Sequence, residues 1–135
     1  MPFQEVNGIR FYTFDSLQAH GVVHAVFTRR GGVSPAPWDS LNVGGTVGDV
    51  AERVRENRLR SLLALERDPM RVYDVWQVHS AEVVRVNGPR SINQPHLKAD
   101  AMLSDLRDLT LYMRFADCVP VFLYDTVNNI YGIAH

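Results

Sequence analysis

Short β-rich segments dominate this 135-residue chain, and one segment alone has the periodicity of a long helix. The segments that predict strands are IRFYTF, GVVHAVFT, RVYDVWQVH, AEVVRVN, DAMLS, TLYMRF, VPVFLYD and IYGIAH. All but DAMLS are rich in β-branched or aromatic residues, and the segments lie near turn-forming residues. VPVFLY lacks clean alternation, which is typical of a strand that is covered on both faces. One helix among many strands predicts an α+β fold with a mixed β-sheet.

The helical segment lies between Val54 and Leu65, where apolar residues recur at helical spacing. Asp49 is predicted to cap this helix, because Glu52 follows it three residues later in the spacing of a capping box. Asp68 is predicted to end it, because the residue before a proline disfavours the α region. The arginines and glutamates between the apolar positions predict a solvent-exposed face.

The composition predicts one globular domain over residues 1–135, with 46% hydrophobic and 21% charged residues. A net charge of −1 creates no field that would attract nucleic acid or an anionic membrane. No apolar stretch approaches the roughly 20 residues that cross a bilayer, and the N-terminus does not have the pattern of a signal peptide. A single cysteine forms no internal disulfide, which fits a reducing compartment. A cytoplasmic protein that acts on small molecules is expected.

A long loop, RRGGVSPAPWDSLNVGG, follows the second predicted strand. Loops of this length within compact domains are often functional. At its start, Arg29 and Arg30 supply positive charge, while Gly31 and Gly32 let backbone amides approach an anion closely. The segment TRRGG is therefore a candidate phosphate cradle, and the alternative is a surface turn.

Three residues that can bind a metal or attack a substrate lie near predicted strand ends: His79, Cys118 and His135. No two of them have the short spacing of a zinc finger, but strand ends converge when their strands are neighbours. Taken singly, a free cysteine is more often a small buried hydrophobe, and each histidine is more often structural. Holding a thiolate at pH 7 costs about 2 kcal/mol, whereas zinc binding in a good site supplies roughly 10–16 kcal/mol. Ligation is therefore energetically accessible, although the spacing alone does not decide it.

Several blocks in order give the sequence a specific resemblance. They are HAVFTRRGGVSPAPWDSLNVGGTVGD, ENR, WQVHSAEVV, KADAMLS and FADCVPVFLYD followed by GIAH. Together they resemble the YfiH or laccase-domain family, formerly described as polyphenol oxidases and now regarded as purine nucleoside phosphorylases. In that family the last block continues into Ala-Gly-Trp-Arg-Gly, so His135 resembles its first residue. The resemblance implies the N-terminal portion of the family fold, in which sheets are layered with helices, in a chain shortened at this block.

The resemblance also implies a function and a site. His79, Cys118 and His135 are expected to bind one zinc ion, with copper as the alternative metal. Three protein ligands leave a fourth position open, as in catalytic zinc sites. The implied reactions are phosphorolysis of purine nucleosides (adenosine, inosine, guanosine and methylthioadenosine) and deamination of adenosine.

Three further residues are candidates within the family blocks. Asp117 precedes the cysteine and is expected to orient a ligating imidazole, to act as a general base, or to stabilise its own turn. Asn42 and Gln77 are expected to hydrogen-bond substrate or to order their own loops. Two family positions differ here, at Val50 and Phe115, and neither is a proposed ligand.

Three alternatives stay open at this point. A copper-dependent, laccase-like polyphenol oxidase needs many imidazoles, usually in His-x-His pairs, and the chain has five histidines and no such pair. A cysteine hydrolase would use Cys118 as the nucleophile, with His79 or His135 as its base. An inactive fragment, or an interaction module, is the third alternative. The sequence does not define an oligomeric state.

Overall fold

The computed structural model describes residues 3–135 and divides into two compact units, one that ends at Pro69 and one that begins at Met70. Two helices and nine strands occur in the described residues, which confirms the α+β class. Neither of these helices has the length and apolar character that crossing a bilayer requires. The division does not test the prediction of one domain, which stays a prediction.

The first unit contains a three-stranded antiparallel sheet in the order β1-β2-β3. Its elements are β1 (Phe3–Val6), β2 (Ile9–Tyr12), α1 (Asp15–Gln18), β3 (Val26–Phe27) and α2 (Ala51–Ala64). Ile9 and Phe11 alternate along β2 and are buried together with Leu41. Ala64 and Leu65 at the end of α2 pack against this cluster, so the helix covers the sheet of its own unit.

The helix α2 begins without the predicted capping box. Val50 is its N-cap residue, and no side chain caps it. The carboxylate of Asp49 instead accepts hydrogen bonds from the backbone N–H of Val50 (2.8 Å), the hydroxyl of Ser34 (2.5 Å) and the amide of Asn42 (3.1 Å). These bonds hold the pKa of Asp49 below its ordinary value, with the Ser34 bond as the largest cause, although burial acts in the opposite direction. Asp49 therefore joins the long loop to the helix start.

The helix also ends earlier than predicted, at Ala64 rather than at Asp68. Glu66 has a left-handed backbone with φ of 54°, and the N–H of Arg67 donates to the carbonyl of Leu62 at 2.9 Å. These are the features of a Schellman motif, which satisfies the last carbonyls of a helix before any proline is reached.

Two polar residues, Asn57 and Ser61, are fully buried on α2. The Asn57 side chain accepts from the N–H of Val33 (2.8 Å) and donates to the carbonyl of Asn42 (2.8 Å) and the hydroxyl of Ser34 (2.9 Å). One amide thereby holds two separate parts of the long loop against the helix.

We expect Asn57→Ala to lower the free energy of unfolding by about 2–4 kcal/mol, because it removes a fully buried side chain and leaves partly buried backbone groups of the loop without their partner. The measurement is urea unfolding. Leu63→Ala on the same helix is the control, because that side chain is 55% exposed, and its effect should stay within about 0.5 kcal/mol. A loss as small for Asn57→Ala would show that the amide does not hold the loop.

The second unit contains a parallel pair, β4-β7, and a four-stranded mixed sheet in the order β5-β6-β9-β8. Its strands are β4 (Val72–Asp74), β5 (Val83–Arg85), β6 (Ala101–Ser104), β7 (Thr110–Tyr112), β8 (Val121–Asp125) and β9 (Ile130–Ala134). Met102 and Ile133 face each other on β6 and β9 and are buried with Val75, Val86 and Ala99. The mixed sheet predicted from the sequence is therefore confirmed.

The strands of this unit are shorter than the segments predicted from the sequence. Two of the three candidate ligands therefore lie in loops and not in strands. The predicted strand RVYDVWQVH ends at Asp74, so His79 lies in the loop that follows β4. Cys118 lies in a loop that precedes β8, not in the strand itself. His135 directly follows β9, as predicted. The predicted β8-β9 turn has Asn129 at a φ of 55°, as expected for asparagine there.

Candidate metal centre

Three side chains from separate parts of the second unit meet in space: His79, Cys118 and His135. Their ligand atoms all lie within 4.8 Å of one another. The Cys118 sulfur lies 3.9 Å from Nε2 of His79. Ideal zinc–sulfur and zinc–nitrogen bonds in a tetrahedral site would put these atoms about 3.6 Å apart. This pair of donors therefore stands within a few tenths of an ångström of ligating geometry, while the full set of three spans up to 4.8 Å.

The cluster is open to solvent on one side. His79 and Cys118 are exposed, whereas the His135 side chain is only 9% exposed. The two imidazole rings have their centroids 4.9 Å apart, and the ring of Phe115 packs edge-on against His135 at 5.4 Å. One nitrogen donor is thus fixed in packed surroundings, while the thiol and the other imidazole are accessible to a small molecule.

The buried carboxylate of Asp100 supports the cluster from behind. Its side chain is 3% exposed, and its Oδ1 lies 2.8 Å from Nδ1 of His135. The same oxygen accepts the backbone N–H of His79 at 3.0 Å. Oδ2 accepts the N–H groups of Val78 (3.1 Å) and Ser80 (2.7 Å), and the Ser80 hydroxyl (2.9 Å). Asp100 therefore contacts both histidine segments without being one of the three ligands.

The ionisation of Asp100 defines the tautomer of His135. Burial raises the pKa of this carboxyl group, but hydrogen bonds from Ser80, His135 and Val78 outweigh it and hold the pKa far below its ordinary value. An ionised carboxylate only accepts hydrogen bonds, so Nδ1 of His135 must carry the proton. Nε2 of His135 then has the free lone pair that a metal needs.

Asp117 is exposed beside Cys118. The carboxylate that contacts a candidate ligand imidazole is Asp100, from the KADAMLS block, and not Asp117. Sequence reasoning missed Asp100, which lies in the KADAMLS block, because its side chain reaches partners that are 20 to 35 residues away in the chain. Asp117 as a general base stays a prediction.

Gln77 and Asn42 use their amides within the protein. Both ends of the Gln77 amide pair with the backbone of Arg114, at 2.7 and 2.9 Å. Asn42 bonds to both backbone groups of Gly44, at 3.0 and 3.2 Å, and to Asp49. These contacts match the expected loop-ordering roles, and contact with substrate stays a prediction for both residues.

The phosphate-cradle segment lies in the first unit and differs from its prediction in one respect. The N–H groups of Gly31 and Gly32 both donate to the hydroxyl of Ser40 at 3.1 Å, so a phosphate does not find them free. A Cβ on Gly31 would lie 2.3 Å from a carbonyl oxygen, and its φ is 98°, so glycine is required here by packing. Arg29 donates to the carbonyl of Asp39, and Arg30 is exposed. The two glycine amides already have a partner within the protein, so their role as a phosphate cradle stays a prediction, as does the charge from the two arginines.

The chemistry of the three donors fits a transition metal. Thiolate and imidazole are ligands that suit zinc and copper, whereas calcium and magnesium prefer oxygen. Within residues 3–135, these three side chains form the one group of at least three His, Cys, Asp or Glu residues whose ligand atoms lie close enough to hold an ion. His24 and His96 are engaged elsewhere, with Val22 and Asp74 respectively. The residues present therefore fit one ion with one sulfur and two nitrogen ligands.

Comparison with known families defines the class to which this fold and site belong. The sequence model of the family described as "Multi-copper polyphenol oxidoreductase laccase" matches residues 23–135. The chain therefore belongs to this family, the laccase-domain or YfiH family that the sequence blocks resemble, and that resemblance is confirmed.

Similar proteins carry a different functional name. The chain is 42% identical over 116 residues to purine nucleoside phosphorylase ORF3 of Streptomyces griseus, which covers 85% of this chain and 47% of that protein. It is 35% identical over 118 residues to purine nucleoside phosphorylase YfiH of Escherichia coli K12, covering 87% and 47%. The crystal structure of YlmD from Geobacillus stearothermophilus matches with a TM-score of 0.86 at 30% identity, over 99% of this chain and 52% of that one. The chain thus spans about half the length of the relatives it matches.

Proposed function

We propose that this chain carries the metal site of a zinc-dependent purine nucleoside phosphorylase that also deaminates adenosine. The observation that carries the proposal is the meeting of His79, Cys118 and His135 within 4.8 Å. The names of the relatives support it, because they are called purine nucleoside phosphorylases. The proposed substrates are phosphate and the nucleosides adenosine, inosine, guanosine and methylthioadenosine.

The three ligands would hold the ion through the thiolate of Cys118 and one nitrogen each of His79 and His135. When bound, zinc supplies Lewis acidity at a coordination position that protein ligands leave open. The exposed side of the cluster is where we place the substrate, because His79 and Cys118 are accessible there. On the opposite side, the largely buried ring of His135 is held in place by its hydrogen bond to Asp100.

Phosphorolysis forms a bond between a phosphate oxygen and C1′ of the ribose while the bond from C1′ to the purine nitrogen breaks. The departing purine needs a proton, which dihydrogen phosphate can supply, and we propose that Asp117, whose carboxyl group is exposed beside Cys118, takes up this proton as a general base and passes it to the purine. Deamination of adenosine adds the elements of water and releases ammonia, which also requires proton transfer. The same carboxyl group is proposed to serve both reactions.

The family description favours a second candidate, oxidation of phenols by copper. One cysteine and two histidines are also the equatorial ligands of an electron-transfer copper site. A multicopper oxidase needs additional imidazole sets, and the described residues gather one three-residue group. This donor count favours the phosphorylase over the oxidase.

Metal content measured together with purine release tests the proposal. Zinc-loaded protein should convert inosine to hypoxanthine and ribose 1-phosphate when phosphate is present, and His79→Ala should lose this activity. Base release that is equally fast without phosphate would contradict phosphorolysis. No release from protein that holds one zinc ion would overturn the proposed function.

We expect Arg30→Ala to raise the KM for phosphate about tenfold, because a charge-assisted hydrogen bond to an anion is worth about 1.5–3 kcal/mol. The KM for the nucleoside should change by less than about twofold. The measurement is steady-state kinetics with each substrate varied. Arg55→Ala is the matched control, because Arg55 pairs with Glu52 on the exposed side of α2. Equal changes in both KM values would count against a phosphate role for Arg30.

A further inference from the structure

We propose that Asp100 is the positioning residue of the metal centre, because one carboxylate holds both the imidazole ring of His135 and the backbone of His79. This inference rests on the metal site of the proposed function. Asp100 directly precedes β6 and lies outside the three-residue ligand set. Its two oxygens and its backbone together hold both histidine segments.

Asp100 holds His135 at two points. Its backbone carbonyl accepts the N–H of His135 at 2.8 Å, which extends the antiparallel register of Ala101 with Ala134 by one pair. Its Oδ1 accepts from Nδ1 of the same residue at 2.8 Å. The first bond places the backbone of His135, and the second fixes the ring orientation and the tautomer. Nε2 is thereby left as the nitrogen available to a metal.

Asp100 also holds the backbone that presents His79. Three successive N–H groups, from Val78 to Ser80, point at its carboxylate at distances between 2.7 and 3.1 Å. Successive amides of this kind form a nest for an anion. Within the nest, His79 has a φ of 58°, a conformation that is uncommon for residues other than glycine. The carboxylate thus stabilises the backbone turn that brings the His79 ring near Cys118.

Cys118 is held differently. It lies in an exposed loop, and its sulfur reaches Nε2 of His79 at 3.9 Å. Asp100 therefore orients the ring of His135 directly and the segment that carries His79 through its backbone, while the sulfur comes from a separate segment. Metal affinity should depend on Asp100 even though its carboxylate does not belong to the ligand set, as outer carboxylates are known to tune ligating histidines.

Zinc affinity of Asp100→Asn, measured by competition with a chromophoric chelator, tests the inference. We expect a loss of about 10–100-fold, together with a changed absorption spectrum when Co²⁺ replaces zinc. Asp125→Asn is the matched control, because Asp125 also accepts backbone N–H bonds, from Val127 and Asn128, and its side chain contacts no histidine in the described residues. Its affinity should stay within about twofold of the wild type. Equal affinities for the wild type and Asp100→Asn would overturn the inference.

The tautomer of His135 in the metal-free wild-type protein gives a second test that no folding defect can obscure. Nitrogen-15 NMR of the imidazole should show the proton on Nδ1. A proton on Nε2 would contradict the positioning role. Neither measurement uses a nucleoside, so a protein that binds zinc as predicted but releases no purine would refute the proposed function and leave this inference intact.

Discussion

Cys118→Ala is expected to lose about two to three powers of ten in zinc affinity and to lose purine release with it. The reason is that structural zinc sites with four protein ligands bind with roughly 10–16 kcal/mol in total, so one ligand accounts for about 2.5–4 kcal/mol. The remaining imidazoles of His79 and His135 would hold an ion only weakly. Metal content after dialysis and a chelator competition titration measure the change.

The control for this variant is Val119→Ala, a neighbouring side chain that is 75% exposed. It should keep both zinc and activity, because its truncation removes neither a ligand nor a packed contact. If Cys118→Ala held zinc within about tenfold of the wild type, the sulfur would not be a ligand.

Chelator-dependent alkylation of Cys118 is the second large effect that we expect. The thiol is exposed, so an alkylating reagent reaches it in the metal-free protein. A sulfur bound to zinc is a poor nucleophile, and alkylation of the metal-loaded protein should be slower by about tenfold or more. Mass spectrometry of the single cysteine, with and without prior chelation, gives the two rates.

The same experiment separates the metalloenzyme from a cysteine hydrolase. A catalytic thiolate activated by His79 or His135 would react rapidly whether or not zinc is present. Equal alkylation rates before and after chelation would therefore favour the hydrolase. Protection by zinc in the wild type, and its loss in His79→Ala, is the pattern that ligation predicts.

Strands β2 to β9 were predictable from the sequence because the pattern of apolar residues reports directly on local structure. Strand β1 (Phe3–Val6) was not among the predicted segments, and β8, predicted to be covered on both faces, lies at the edge of its sheet. The turn before β9 was predictable for a similar reason, since Asn129 adopts the left-handed backbone that asparagine tolerates. The helix ends were not predictable. The carboxylate of Asp49 accepts hydrogen bonds from Ser34 and Asn42 and does not cap the helix. These contacts form only when the long loop folds back onto the start of α2.

The candidate site shows the same limit. The resemblance to the family pointed to His79, Cys118 and His135 as ligands, and the structure brings their ligand atoms within 4.8 Å of one another. Proximity in the chain suggested Asp117 as the orienting carboxylate, whereas strand pairing places Asp100 against His135. A hydrogen bond between residues on paired strands depends on which strands pair and in what register, and here the two residues are 35 positions apart in the chain.

X-ray absorption at the zinc edge of the loaded wild-type protein tests the central claim most directly. The three-ligand site predicts one sulfur neighbour at about 2.3 Å and nitrogen neighbours at about 2.0 Å. A zinc shell made only of nitrogen and oxygen would contradict it.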